Sequence, residues 1–193
     1  MNLLIRKILI SIGENPDREG LKETPQRVEK MYEEIFRGYD KTQEPNITIF
    51  NNGVDGIEYD QMIMDQGDYY SHCEHHMVPF FGKYYFSYIP HPKGKVLGLS
   101  KVARVVDYYG ARLQTQERLV KQIVDVLWSA LCIHTPENFK PLAMGLVMEG
   151  EHLCKSMRGV KKKGKMRTTY LLGTFKTDPP ARQEFLGWVN KNV

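Results

Sequence analysis

Two short clusters of cysteine and histidine, far apart in the chain, constrain its fold more than any other feature: Cys73-Glu74-His75-His76 and His152-Leu153-Cys154. Cys73 and His76 stand three positions apart, which suits gripping one ion from a single tight segment. Cys154 must then arrive from a different element, so the fold has to bring two distant segments together. Thiolate is a soft ligand and imidazole a borderline one, a set that suits zinc over magnesium or calcium. Zinc held by three protein ligands keeps a position for water and lowers that water's pKa to about 7. If His75 or His152 supplies a fourth ligand, the site is closed and structural. If both face the open position, they are acid–base partners for a bound water.

The remaining cysteine and histidines read more plainly. Cys132, inside an apolar helical stretch, is expected to be a small buried hydrophobe. His72 has no assignable role, and His91 and His134 fall in loop-like contexts where exposure is expected. With two of three cysteines in the metal pattern, no closed disulfide set remains, which points to a reducing compartment and hence the cytoplasm. At 193 residues the chain can bury a core without covalent staples. Its first ten residues are apolar but interrupted by Arg6 and Lys7, with no small-residue cleavage site beyond, and read as a short amphipathic helix. No stretch is long enough to span a bilayer.

A net charge of +4 and a pI of about 8.8 suit an anionic partner but are too small to argue for nucleic acid. The densest basic run, Lys161-Lys162-Lys163-Gly164-Lys165 with Arg167 beyond, reads as a solvated hairpin tip.

Periodicity supplies the layout. Thr24-Pro25 looks like an N-cap with proline in the first turn, followed by Val28, Met31, Tyr32, Ile35 and Phe36 on one face, with Gly38 as the stop. Arg27 and Lys30 lie off that stripe. Ile47 to Phe50 reads as a strand closed by Asn51-Asn52-Gly53, and Tyr84 to Ile89 as another, stopped by Pro90 and Pro92. Ser100 is expected to cap a helix ending at Gly110, and Thr115 a longer one carrying Leu119, Ile123, Val126, Leu127 and Leu131. Strands are expected over Leu142 to Met148 and Met166 to Phe175, and a last helix after Pro180. Strands and helices come in blocks, so the class is α+β with an antiparallel sheet covered on one face by the two central helices.

At this point the chain resembles the GTP cyclohydrolase I family, from about Gly20 to Val189. The matching pieces are Thr24-Pro25-Gln26-Arg27-Val28, Cys73-Glu74-His75-His76, Gly98-Leu99-Ser100-Lys101, Gln114-Thr115-Gln116-Glu117-Arg118-Leu119, and His152-Leu153-Cys154 with Met157-Arg158-Gly159. Each is suggestive alone; in this order and spacing they are specific. The resemblance implies the tunnelling fold (T-fold), an antiparallel four-stranded sheet with paired helices on one face. Residues 1–40 would form an N-terminal helical segment and 41–193 the catalytic domain. It also implies a homo-oligomer, typically a decamer of two stacked pentamers whose sheets close into barrels, with active sites shared between subunits.

The implied reaction converts GTP and water to formate and 7,8-dihydroneopterin triphosphate, the entry to folate-type pterins and in some organisms to deazaguanine or biopterin. By the same resemblance, Cys73, His76 and Cys154 would bind catalytic zinc, while His75 and His152 would transfer protons near the purine imidazole ring. Gln116 and Glu117 would recognise the guanine edge and Ser100 would lie near the ribose. Lys101, Arg104 and Arg158 would hold the triphosphate, joined by Arg27 and Lys30 from a neighbouring subunit. Neither membrane nor nucleic acid is implied as a partner.

The chemistry of the residues agrees. Attack at C8 of guanine followed by a second hydrolytic step needs a nucleophile generator and at least one proton donor. A carboxylate at position 117 can accept from both the ring N–H and the exocyclic amine of guanine, a donor pair that adenine lacks. Two other readings compete: a closed, non-catalytic zinc module using the 161–167 run, and a T-fold relative with another reaction. The first has no use for Gln116, Glu117 and Arg158 at their spacing; relatives of the second kind show three histidine ligands or lack this zinc site.

Overall fold

The computed structural model describes residues 1–193 apart from 55, 134 and 193. Helix α1 (Asn2–Ser11) packs on helix α2 (Thr24–Ile35), where Pro25 sits in the first turn as expected because no N–H is needed there. The cap, however, is Glu23, without a side-chain bond, and Thr24 is already helical. The helix stops at Ile35, short of Gly38, and a 3-10 turn over Arg37–Tyr39 follows. Gly38 serves close packing instead: a Cβ there would sit 2.1 Å from the carbonyl oxygen of Tyr108.

Strand β1 (Ile49–Asn51) begins two residues later than expected. Two long strands follow, β2 (Ile63–Cys73) and β3 (Pro79–Ile89), paired antiparallel from Ile63 opposite Tyr88 to His72 opposite Pro79. Strand β4 (Lys95–Leu97) returns to pair with β1. Helix α3 (Ser100–Gly110), the two-residue strand β5 (Leu113–Gln114) and helix α4 (Gln116–Cys132) come next. The chain ends with β6 (Ala143–His152), the single turn α5 (Leu153–Ser156), β7 (Lys165–Gly173), the single turn α6 (Thr174–Thr177) and α7 (Pro179–Asn192).

The main sheet runs β5-β2-β3-β6-β7 and is mixed. Four long strands pair antiparallel, of which β3, β6 and β7 overlap strands read from the sequence; β2 is not among those expected, and β1 lies in a separate pair with β4. A further departure is β5, which adds a fifth strand parallel to β2 by pairing Leu113 with His72 and Gln114 with Cys73. Strand β7 stops at Gly173, whose φ of 60° turns the chain, so Phe175 lies in α6 rather than in the strand. Ser100 is the first residue of α3 and makes no capping bond, whereas the Thr115 hydroxyl accepts from the Arg118 amide as predicted. His91 is half-buried against Phe139 at 5.1 Å rather than exposed, and the expected exposure of His134 concerns a residue outside those described.

Alternation along each strand divides the core between the two sheet faces. Tyr84, Phe86 and Tyr88 of β3 and Met144, Leu146 and Met148 of β6 pack against Val105, Val106, Leu119, Ile123 and Leu127 of α3 and α4. Full burial of each such side chain contributes about 1.5–3 kcal/mol. The opposite face carries Tyr85, Ala143 and Val147 against Phe175, Phe185 and Val189, so α6 and α7 cover part of the side that sequence left bare. The same alternation sends Tyr69 and Cys73 of β2, and Met148 and His152 of β6, toward the α3/α4 side. There the ends of two strands meet the first turn of α4.

Candidate metal centre and active site

Strand β2 ends at Cys73 in a tight turn. The Cys73 carbonyl accepts from the amides of His76 (3.3 Å) and Met77 (2.8 Å), and its own amide donates to Val78 (2.9 Å). Met77 takes a φ of 55°, a conformation that non-glycine residues rarely adopt, and the chain is thereby folded back on itself. His76 Nδ1 comes to 3.8 Å from Cys73 Sγ. Cys154 arrives from the first turn of α5, directly after β6. One ligand atom each from Cys73, His76 and Cys154 lie within 4.8 Å of one another, the metal-ligand group found among the described residues.

The donor set fits zinc. Burial pushes the Cys154 thiol up, and the neighbouring Cys73 adds to the shift. A thiol that resists ionising beside a second sulfur is one whose deprotonation a divalent cation would favour. Arg158 Nη1 donates to His76 Nε2 at 2.9 Å. Arginine can only donate, so Nε2 accepts and the neutral ring carries its hydrogen on Nδ1, the atom facing the thiols; a metal there would require the Nε2–H form and a shift of Arg158.

His75 and His152 flank this group differently. His75 Nδ1 lies 3.7 Å from Cys73 Sγ, but its side chain is 65% exposed. His152 is half-buried, stacked on Phe80 with centroids 4.6 Å apart and planes 3° from parallel. Burial pushes its pKa down, with the Glu117 carboxylate pulling the other way.

Glu117 is exposed in the first turn of α4, and Arg158 is exposed beside His76. Gln116 is placed otherwise than the expected base-reading role requires. It turns inward and is 1% exposed, its amide nitrogen engaged by Met148, Met166 and Thr168 and its oxygen by Tyr69 and His152. Its hydrogen-bonding groups are occupied within the chain, which leaves Glu117 as the free acceptor of the pair.

Ser100, Lys101 and Arg104 share the first turns of α3, with Ser100 and Arg104 exposed. Among the described residues, no side-chain hydrogen bond or ion pair joins these three to the cysteine–histidine group. Arg104 instead borders a groove with Arg37, Gln43, Asp107 and Tyr108. Arg27 and Lys30 are exposed on α2, Arg27 paired with Glu23 at 3.0 Å. Residues that motif reading passed over also shape the site. Tyr69 and Phe80 hold Gln116 and His152, while Arg118 pairs with Glu74 in the ligand turn. Tyr69 and Phe80 carry no local motif, since their partners lie far away in sequence.

Fold and site together define an α+β domain in which two cysteines and a histidine, flanked by further histidines, form a group that could hold a metal ion. A family model for GTP cyclohydrolase I matches residues 1–190, and the chain belongs to that family. GTP cyclohydrolase 1 of Caldanaerobacter subterraneus subsp. tengcongensis is 46% identical over 188 residues, spanning 96% of this chain and 93% of that protein. The Sinorhizobium fredii protein of the same name is 45% identical, spanning 94% of this chain and 84% of its own length. The Coxiella burnetii one is 39% identical, spanning 97% and 96%. A crystal structure of the archaeosine synthase QueF-Like in the apo form aligns with 56% of this chain and 91% of its own, with 15% identity and a TM-score of 0.40.

Proposed function

We propose that the chain is a zinc-dependent enzyme converting GTP and water to formate and 7,8-dihydroneopterin triphosphate. The observation that carries this reading is the convergence of Cys73, His76 and Cys154 within 4.8 Å in a chain of this family. These three residues would hold the metal. Bound zinc would supply a Lewis acid and a water of lowered pKa at neutral pH.

The protein groups around it take the remaining tasks. His152, held by Phe80 and Gln116, and the exposed His75 are the proton-transfer groups as water adds at C8 and opens the imidazole ring to a formamide. A second water cleaves the formamide to release formate, and closure of the pterin ring expels one water. Glu117 accepts from the ring N–H and exocyclic amine of guanine. Gln116 would contribute to that edge only by giving up its internal bonds. Arg158, Lys101 and Arg104 take the triphosphate, and Ser100 faces the ribose.

Since α3 supplies cations that no side-chain hydrogen bond or ion pair among the described residues joins to the cysteine–histidine group, we read the complete pocket as shared between copies. Arg27 and Lys30 would then come from a neighbouring subunit. This belongs with the T-fold assembly, a decamer of two pentameric barrels, with residues 1–40 as a helical segment and 41–193 as the catalytic domain. No helix among the described residues is long and apolar enough to cross a membrane. We place the protein in the cytoplasm, feeding a pterin pathway.

The test is direct. Zinc-loaded protein is incubated with GTP, and formate is followed together with pterin fluorescence after oxidation. Turnover with GTP but not ATP, lost on Cys154→Ser together with the zinc, supports the assignment; equal formate release by metal-free protein overturns it.

A further inference from the structure

Gln116 opens α4, yet it points into the molecule. Its amide nitrogen lies 3.0 Å from each of three acceptors, the carbonyl oxygens of Met148 and Met166 and the hydroxyl of Thr168. Backbone carbonyls cannot donate, so this end of the amide is the NH2 group. Oε1 therefore faces the other way. There Tyr69 Oη donates to it at 3.1 Å, and His152 Nε2 stands 2.8 Å off. A carbonyl oxygen only accepts, so a hydrogen bond of that length requires a hydrogen on Nε2. In the neutral ring Nδ1 is then bare.

We propose that Tyr69 and Gln116 are positioning residues that hold His152 as its Nε2–H tautomer, which makes Nδ1 the ring atom through which it exchanges a proton. The proposal deepens the reading of His152 as a proton-transfer group and rests on it for its consequence in turnover, but not for the tautomer itself.

The surroundings are built for this relay. Tyr69 and Gln116 are each 1% exposed, so water does not compete for Oε1. The Phe80 ring fixes the plane of His152 while the amide fixes its proton. Position 150 must be glycine for the relay to fit: a Cβ there would sit 2.2 Å from Tyr69 Oη and 3.1 Å from Gln116 Oε1. Tyr69 supplies the second donor to Oε1. Without its hydroxyl the oxygen is held only by His152, the very group it is meant to orient, so the amide and ring gain freedom together.

Long-range 1H–15N correlation on histidine-labelled, zinc-loaded protein, without substrate, reads the tautomer. Comparison with His152→Gln assigns the signal. The wild type is expected to show a hydrogen on Nε2 and a bare Nδ1. Tyr69→Phe, which keeps the ring and its packing, is expected to give a mixed tautomer. It should also lower kcat about three- to tenfold, with KM for GTP within twofold. An Nδ1–H signal in the wild type overturns the proposal, as does a Tyr69→Phe variant with unchanged tautomer and kcat. Should Tyr69→Phe fail to fold, the wild-type spectrum alone decides. Wild-type turnover of GTP alongside an Nδ1–H ring would sink the relay and spare the activity. An Nε2–H ring lost in Tyr69→Phe, in a protein inert toward GTP, would sustain the relay and sink the activity.

Discussion

Arg118, in the first turn of α4, forms an ion pair with Glu74 in the β2–β3 turn, so the helix end beside the site is tied to the segment carrying Cys73 and His76. The same guanidinium donates to Gln114 Oε1 at 2.9 Å and to the Leu113 carbonyl at 3.3 Å, spanning turn, β5 and helix. Arg118 holds the Glu74 carboxyl below the usual carboxylate range, chiefly through its hydrogen bond. Partners that orient ligands from behind typically change metal affinity ten- to a hundredfold. Arg118→Gln is therefore expected to weaken zinc binding about tenfold with little change in circular dichroism, as read by competition with a chromophoric chelator. Unaltered zinc affinity would mean that the turn holds its shape without the pair.

Gly150→Ala tests the packing around Tyr69. The added methyl would meet Tyr69 Oη at 2.2 Å in a buried layer, and the nearest atoms belong to side chains already hydrogen-bonded. Overpacking of this kind typically destabilises by about 1–3 kcal/mol. Denaturant unfolding should show that loss, and zinc content should stay intact because neither thiol lies among the contacts. An alanine variant as stable as the wild type would show that Tyr69 can yield space freely.

Glu117 is exposed while the amide of Gln116 is consumed inside the fold, so in the proposed function it is the carboxylate that would read the base. Two charge-assisted hydrogen bonds to guanine would be weakened in Glu117→Gln, which keeps one acceptor and presents a donor where another donor waits. The expected result is a fall of about a hundredfold in kcat/KM for GTP with full zinc occupancy, from formate release against GTP concentration and metal analysis. A variant that instead loses zinc would move Glu117 into the support of the metal.

The group that could hold a metal was legible in the sequence because each of its clusters is contiguous: a strand end with its turn, and a strand end with its following helical turn. Strand β2 was missed because its buried positions near the site are Tyr69, Ser71 and Cys73, while Asp65, Gln66, Gly67 and Asp68 interrupt any apolar alternation. The first half of β3 carries Pro79 and Gly82, residues that weaken a strand signal, and lies outside the Tyr84 to Ile89 stretch read as a strand. Gly82 is there because the Glu149 carbonyl passes 2.0 Å from where its Cβ would stand, a contact that only tertiary structure reveals. The inward turn of Gln116 did leave a trace. It shares the buried stripe of α4 with Leu119, Val120, Ile123 and Leu127, whereas Glu117 lies off it. Motif matching groups the two neighbours; helical phase separates them.

Glu149, on the sheet face opposite the metal group, sets a pH dependence that can be worked out in sign. Burial alone would raise its pKa, but the hydrogen bonds and charges of Lys165 (2.9 Å) and Arg167 (3.1 Å) together outweigh burial and hold the carboxyl below its ordinary value. The unfolded chain therefore takes up this proton more readily than the folded one. The contribution to stability is fully present above the unfolded carboxylate pKa of about 4.3 and is lost as pH falls through the lower folded value. Both cations are substantially exposed, so screening limits the effect to about 1–2 kcal/mol at neutral pH. Glu149→Gln should cost that amount at pH 7, and the gap between wild type and variant should close as pH is lowered from about 5 toward 3. Urea unfolding at a series of pH values measures the gap; curves that stay parallel into acid would show that Lys165 and Arg167 leave the Glu149 carboxyl unperturbed.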